Sequence, residues 1–209
     1  MHSIDLITLS REFGAGASEL AAALGARLGW PVLDREIAPM VARRLGLPPE
    51  VVEDRDERAP GFLQSIGDAL IFASPDLFVG PDTVGAPSPA DIAAATRQIL
   101  LQAAAERRPL ITVGHGGQAL FHGRPGALHV RLVAPLESRL RRICGRRDCA
   151  EREAAGLAKR IDAGRVQFVR DYFGRDVRDP LLYHLVLNTG VLGMDECLTM
   201  VEALVRGRG

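Results

Sequence analysis

The run Ser10-Arg11-Glu12-Phe13-Gly14-Ala15-Gly16-Ala17-Ser18 follows a short apolar stretch, Ile4 to Leu9. It precedes a stretch with apolar residues at helical spacing, Leu20, Ala21, Leu24 and Leu28. A glycine-rich turn between a strand and a helix aims several backbone N–H groups at one point, and the helix adds the positive end of its dipole. Such a turn binds phosphate. Glycine at 14 and 16 removes the Cβ atoms that would crowd a backbone curling round an anion. Set against the pattern G-x-x-x-x-G-K-S/T, Gly16 and Ser18 are in register, and Ser18 falls where the hydroxyl would reach Mg2+. Arg11 stands at the first glycine and Ala17 at the lysine. The cation that such a loop aims at the β- and γ-phosphates is therefore missing. Arg11 is the obvious substitute in the same loop, although a guanidinium is bulkier and differently placed.

Three further segments of similar character follow apolar runs: Asp34-Arg35, Gly114-His115-Gly116-Gly117 and Asn188-Thr189-Gly190. Asp34 suits either a ligand contact or the N-cap of a following helix. His115, as a neutral imidazole, would be a weak phosphate anchor at pH 7. The five histidines show no metal-ligand spacing. Guanidinium groups are the larger resource. Of the 26 basic residues only Lys159 is lysine, so any phosphate is gripped by arginine forks and backbone amides. From Arg139 to Arg178 there are eleven arginines and Lys159 against six acids, while the rest of the chain is acidic by the same margin. One basic segment in a neutral chain reads as a small-anion site better than as a polyanion track.

These residues need elements to hold them. Ile4 to Leu9, Trp30 to Leu33, Leu110 to Val113, Leu128 to Val133 and Leu182 to Leu187 read as five short strands. Helices are predicted at about 18–28, 35–45, 89–107, 136–146, 150–173 and 195–205, with further helical pieces from Pro48-Pro49 and over Phe62 to Phe72. Ser88 or Asp91 caps the helix from Pro89, and Ser74 to Pro89 reads as a long loop. Strands alternating with helices predict a parallel sheet covered on both faces, with ligands beyond the carboxyl ends of the strands.

Composition sets the outer bounds. The chain has 209 residues, 47% hydrophobic and 25% charged, with zero formal net charge. That is globular composition, and the balanced charge argues against a nucleic-acid coat or an acidic-lipid binder. Three cysteines without C-x-x-C spacing argue against a disulfide framework and fit a reducing compartment. No signal-peptide pattern and no apolar run of transmembrane length is present, so a cytosolic enzyme or binding domain is the expectation.

Several blocks together resemble the cytidylate kinase-like family of P-loop kinase relatives. They are Ile7-Thr8-Leu9-Ser10-Arg11-Glu12-Phe13-Gly14-Ala15-Gly16, Pro31-Val32-Leu33-Asp34-Arg35-Glu36-Ile37, Val113-Gly114-His115-Gly116-Gly117, Ala134-Pro135-Leu136-Glu137-Ser138-Arg139-Leu140-Arg141-Arg142 and Asp179-Pro180-Leu181-Leu182-Tyr183-His184-Leu185-Val186-Leu187-Asn188-Thr189. The resemblance implies a three-layer α/β/α P-loop kinase-like fold with a five-stranded parallel sheet, in one domain. It implies a helical acceptor-side insertion over about 35–105 and an Arg-rich helical lid over about 145–178. The implied reaction is transfer of the ATP γ-phosphoryl group to CMP or dCMP, with ATP and Mg2+ as cofactors and a small-molecule nucleotide as partner.

Carried onto this chain, the resemblance places Ser10, Arg11, Phe13, Gly14, Ala15, Gly16, Ala17 and Ser18 at the ATP phosphates, with Ser18 on Mg2+ and the amides from Phe13 to Ser18 as the cradle. Asp34, Arg35, Arg43 and His115 fall on the acceptor side. Arg139, Arg142, Arg165, Arg170 and Asp171 are the candidates for the transferring phosphoryl group. His115 stands where similar proteins carry arginine. Two other readings stay open: a nucleotide-binding regulatory protein without transfer chemistry, which Ala17 favours, and a kinase with a non-nucleotide acceptor.

Overall fold

The computed structural model describes residues 3–46, 87–107 and 109–207. The helical pieces expected from Pro48 and over Phe62 to Phe72, and most of the Ser74 to Pro89 loop, lie outside the described residues. Five strands form one parallel sheet: β1 (Leu6–Arg11), β2 (Val32–Leu33), β3 (Leu110–Val113), β4 (Ala127–Val133) and β5 (Leu185–Asn188), in the order β2-β3-β1-β4-β5. The helices among the described residues are α1 (Ala17–Leu28), α2 (Ile37–Arg44), α3 (Pro89–Glu106), α4 (Gly117–Leu120), α5 (Leu136–Arg147), α6 (Glu151–Phe173) and α7 (Met194–Arg206).

The chain divides into two compact units, Met1–Asp34 with Ala103–Gly209, and Arg35–Gln102. In the first, alternate strand residues sort onto two faces. Ile7, Leu9, Ile111, Val113, Leu128, Val130 and Leu132 form the apolar face, packed against Leu20 and Leu24 of α1 and Leu198 and Val201 of α7. The opposite face is polar although buried: Thr8 pairs in register with Thr112 and His129, and Ser10 with Arg131. There the Thr8 hydroxyl meets His129 Nδ1 at 2.8 Å, His129 Nε2 lies 3.2 Å from the Phe121 carbonyl, and the His184 ring stacks 5.2 Å from that of His129. Burial and the neighbouring His184 hold His129 down to a pKa of about 4. In the second unit, Ser88 and Asp91 cap α3 reciprocally: the Asp91 carboxylate accepts from Ser88 N at 2.9 Å while Ser88 Oγ accepts from Asp91 N at 3.2 Å. Arg44 of α2 donates to Gln98 of α3 at 2.9 Å.

Several bounds differ from expectation: β1 runs Leu6–Arg11 where Ile4 to Leu9 was expected, so Ser10 and Arg11 belong to the strand, and β2 is only Val32–Leu33. The last strand begins at Leu185, because Asp179 caps a 3-10 turn over Pro180–Leu182 by accepting from Leu181 N at 2.9 Å. The short helix α4, four residues long, continues directly from the 114–117 glycines and was not anticipated; its N-cap is Gly116.

Candidate functional site

The turn from β1 into α1 has an unusual asymmetry. Every carbonyl from Arg11 to Gly16 is taken by a donor of the protein. Arg165 Nη1 donates to Arg11 O at 3.4 Å, Ala15 N to Glu12 O at 3.1 Å and Arg139 Nη1 to Phe13 O at 3.1 Å. Arg142 Nη1 donates to Gly14 O at 2.9 Å, Thr189 Oγ1 to Ala15 O at 2.9 Å and Leu20 N to Gly16 O at 3.0 Å. Among the amides, Glu12 N is spent on Leu132 O, Phe13 N on Asp162 Oδ1 at 2.7 Å and Ala15 N on Glu12 O. Among the described residues this leaves the N–H groups of Gly14, Gly16, Ala17 and Ser18 unused by the fold. The N-cap, Gly16, has no side chain to satisfy them. Orphan amides at a helix N-terminus, with their carbonyls tied back, are a phosphate seat. The expected cradle is thus shorter than Phe13 to Ser18, since the amides of Phe13 and Ala15 are committed elsewhere.

The glycines serve a different contact from the one the sequence suggested. Gly14 and Gly16 have φ of +84° and +89°, the left-handed region. A Cβ on Gly14 would lie 3.0 Å from Arg139 O, and one on Gly16 would lie 2.7 Å from Met194 Cε. Their lack of a side chain lets the turn press against α5 and α7.

Arginine replaces lysine here as the structural cation. Arg139 also donates through Nε to Ala134 O at 3.1 Å and forms an ion pair with Asp162 at 2.7 Å; its side chain is only 11% exposed. Arg142 reaches both the hydroxyl and the carbonyl of Thr189 at 3.4 Å. These two residues, three apart on α5, point one face of the helix at the turn. Asp162 accepts from the Phe13 amide and from Arg139, with Arg165 3.7 Å away. The guanidinium carbons of Arg147 and Arg165 lie over the Phe13 ring, 5.6 and 5.8 Å from its centroid.

Arg11 does not enter the phosphate turn. Its guanidinium lies across Gly114, where a Cβ would collide with Nη1, and its Nη2 is 3.9 Å from Asp34. Asp34 is therefore engaged by Arg11 and is not the helix cap; that position is Glu36. Beside them, Gly114, His115 and Gly116 are three successive left-handed residues with φ of +76°, +55° and +74°. A Cβ at Gly116 would strike the Phe173 ring. His115 Nδ1 lies 3.2 Å from Val113 O, so Nδ1–H is the donor and Nε2 carries the lone pair. Desolvation, reinforced by the Arg11 charge, pushes its pKa down to about 4, and the imidazole is neutral at pH 7.

Two other expected residues of the first unit stand apart from this cluster. Arg170 and Asp171 are exposed on the last turn of α6. Arg35 and Arg43 are exposed in the second unit. Sequence reasoning missed Asp162 and Arg131 and did not single out Thr189 from its strand end. Thr189 could have been found from its place directly after β5. Asp162, the fourth acid of the basic segment, carried no local signal.

The orphan amides of the β1–α1 turn have the donor chemistry that a phosphate group requires. The hydroxyl of the half-buried Ser18, in the first turn of α1, bonds no other described residue and has the chemistry for Mg2+. Among the described residues no group of three or more His, Cys, Asp or Glu could hold a metal by itself, and no helix is long and apolar enough to cross a membrane.

Sheet order, phosphate turn and covering helices define an α/β protein of the P-loop kinase type. Two solved structures share this fold at 17% identity: a protein from Eubacterium ventriosum (TM-score 0.68, covering 97% of this chain and 99% of that one) and the shikimate kinase of Acinetobacter baumannii in complex with shikimate (TM-score 0.52, 99% and 95%). Residues 6–191 match the model of the cytidylate kinase-like family, and the chain belongs to that family. A cytidylate kinase from Sulfolobus acidocaldarius is 38% identical over 97 residues, 46% of this chain; the match spans about half (52%) of that relative's length.

Proposed function

We propose that this protein is an ATP-dependent kinase acting on a small phosphorylated acceptor, with CMP or dCMP as the first candidates. Membership of the cytidylate kinase-like family supports the reaction class, and the partial match to a cytidylate kinase supports the acceptor. One structural observation carries the reading: the turn's carbonyls are bound by three arginines, a threonine and backbone amides, and four amides are left for an anion.

The amides of Gly14, Gly16, Ala17 and Ser18 would bind the triphosphate, and the Ser18 hydroxyl would hold Mg2+, which supplies charge neutralisation when bound. In the transfer, an acceptor oxygen bonds to the γ-phosphorus as the bond to the β–γ bridging oxygen breaks, releasing ADP. Arg139 and Arg142 act as positioning residues: they fix the turn before ligand arrives, so that its dipoles need no reorganisation. Arg165 joins α6 to the same turn through Arg11 O and Asp162. The neutral His115 offers Nε2 to a donor on the acceptor and supplies no charge. Arg35 and Arg43 remain assigned to the acceptor side; Arg170 and Asp171 are assigned no part in holding the turn.

Ala17 favours a second reading, nucleotide binding without transfer. ADP release measured across CMP, dCMP, UMP and AMP separates the two. Turnover with a pyrimidine monophosphate supports the kinase, whereas nucleotide-dependent thermal stabilisation without ADP release from any acceptor supports the binding protein.

A further inference from the structure

Among the described residues Arg131 is a buried cation without a paired carboxylate. It lies on β4, in register with Ser10 of β1 and Val186 of β5, and is 8% exposed. Its Nη1 donates to Ser10 Oγ at 3.2 Å, and its guanidinium carbon lies 5.6 Å from the centroid of the Tyr183 ring. No carboxylate of the described residues pairs with it. The Tyr183 hydroxyl donates to Val177 O at 2.7 Å and lies 3.2 Å from Ser10 Oγ. Asp176, the acid in this neighbourhood, is exposed and closed by Arg178, whose Nε and Nη2 donate to it at 3.0 and 2.9 Å. A guanidinium has five N–H donors, and burying one without a counter-charge is strongly unfavourable unless something compensates. Among the described residues, the protein supplies only the Ser10 hydroxyl and, from Tyr183, a ring face and a hydroxyl.

The place is informative. Ser10 and Arg131 sit near the carboxyl ends of β1 and β4, where this class of sheet binds ligands. They project from the polar face, opposite the face covered by α1 and α7. The anion bound by the α1 N-terminus is therefore a different one. The half-buried Tyr183, from the segment joining α6 to β5, forms the outer wall.

We propose that Arg131, Ser10 and Tyr183 form an oxyanion seat that takes the phosphate monoester group of the acceptor. The guanidinium fork supplies paired donors and the charge, Ser10 a third donor, and the Tyr183 ring the rigid wall. The identity of the molecule carrying that group rests on the kinase reading above; the existence of the seat does not.

Thermal unfolding in inorganic phosphate, against chloride at equal ionic strength, tests it on the full chain as wild type, Arg131→Met and Arg131→Lys, with MgATP as a second probe. Phosphate raises the Tm of wild type, raises that of Arg131→Met no more than chloride does, and has an intermediate effect on Arg131→Lys, which keeps the charge and loses the fork. Arg131→Met keeps the MgATP response and is at least as stable as wild type in chloride, since an apolar side chain of similar volume replaces an uncompensated charge. In turnover, Arg131→Met raises the acceptor KM about tenfold, with the KM for ATP unchanged. A phosphate response retained in Arg131→Met overturns the proposal, as does a wild type that does not respond to phosphate. So does a loss of stability in chloride by both variants with equal loss of both ligand responses, which assigns Arg131 to the framework. A phosphate response that depends on Arg131 in a protein blind to MgATP leaves the seat standing and removes the kinase reading instead.

Discussion

Truncating Arg139 to alanine isolates what an arginine does for a phosphate turn that lacks its lysine. The side chain makes three charge-assisted contacts, to Phe13 O and Ala134 O at 3.1 Å and to Asp162 at 2.7 Å. Hydrogen bonds to charged groups contribute about 1.5–3 kcal/mol each when broken singly. The three do not add, because water can reach both carbonyls once the side chain is gone, and Asp162 keeps its Phe13 amide and nearby Arg165. The expected loss is about 2–4 kcal/mol in stability, the lower end favoured because Asp162 is 26% exposed. For a chain of this size that corresponds to a fall in Tm of roughly 5–12 °C. Arg141 is the internal control. It lies on the same helix, and its ion pair with Glu137 has side chains 71% and 77% exposed. Arg141→Ala is expected to change stability by under about 0.5 kcal/mol. Urea unfolding of the three proteins, with MgATP titrations on each, reads both effects. MgATP affinity should fall at least tenfold in Arg139→Ala and stay unchanged in Arg141→Ala. Equal behaviour of the two variants would refute the view that Arg139 fixes the turn.

Three further outcomes follow from the same geometry. Arg142→Ala frees Gly14 O and the Thr189 carbonyl and should weaken MgATP binding with a smaller stability loss than Arg139→Ala, about 1–2 kcal/mol by denaturant titration, because among the described residues it has no carboxylate partner to orphan. Gly16→Val should abolish MgATP binding and cost about 2–5 kcal/mol, from the backbone at φ +89° and the Met194 contact together. Adding Met194→Ala should recover part of the stability and none of the binding; recovery of both would mean that the clash alone mattered. Stability should also fall on acidification. His129 and His115 have folded-state values near 4 against 6.5 when unfolded, so below about pH 6.5 the unfolded chain takes up protons that the native state refuses. Stability is full above that value and declines toward pH 4, by at most about 3 kcal/mol for each histidine. Urea midpoints at pH 7, 6 and 5 should show the slope, and His129→Gln should flatten it; an unchanged slope in that variant would exclude His129 as a source.

Much of this was legible in the residues. Unbroken apolar runs gave the parallel sheet, and glycine spacing located the turn between β1 and α1. The partners of that turn were not legible, because their proximity comes from the tertiary path. Arg139 and Arg142 were recognisable as sharing a helix face, but not that the face points at carbonyls. Arg11 looked like the replacement cation from its place in the loop, yet strand alternation and the bare Gly114 turn it toward Asp34. Arg131 was hidden in a strand that reads as apolar, Leu128 to Val133, and its partner Ser10 comes from a strand distant in the sequence. The segment 182–187 misled at its start because Asp179-Pro180 favours a tight turn over an extended chain.

Calorimetric titration of MgATP into the wild-type protein tests the central claim most directly, that peptide N–H groups held in place by arginines bind a triphosphate without lysine. Saturable one-to-one binding, lost in Gly16→Val, is the predicted result. A flat titration up to millimolar MgATP would contradict it.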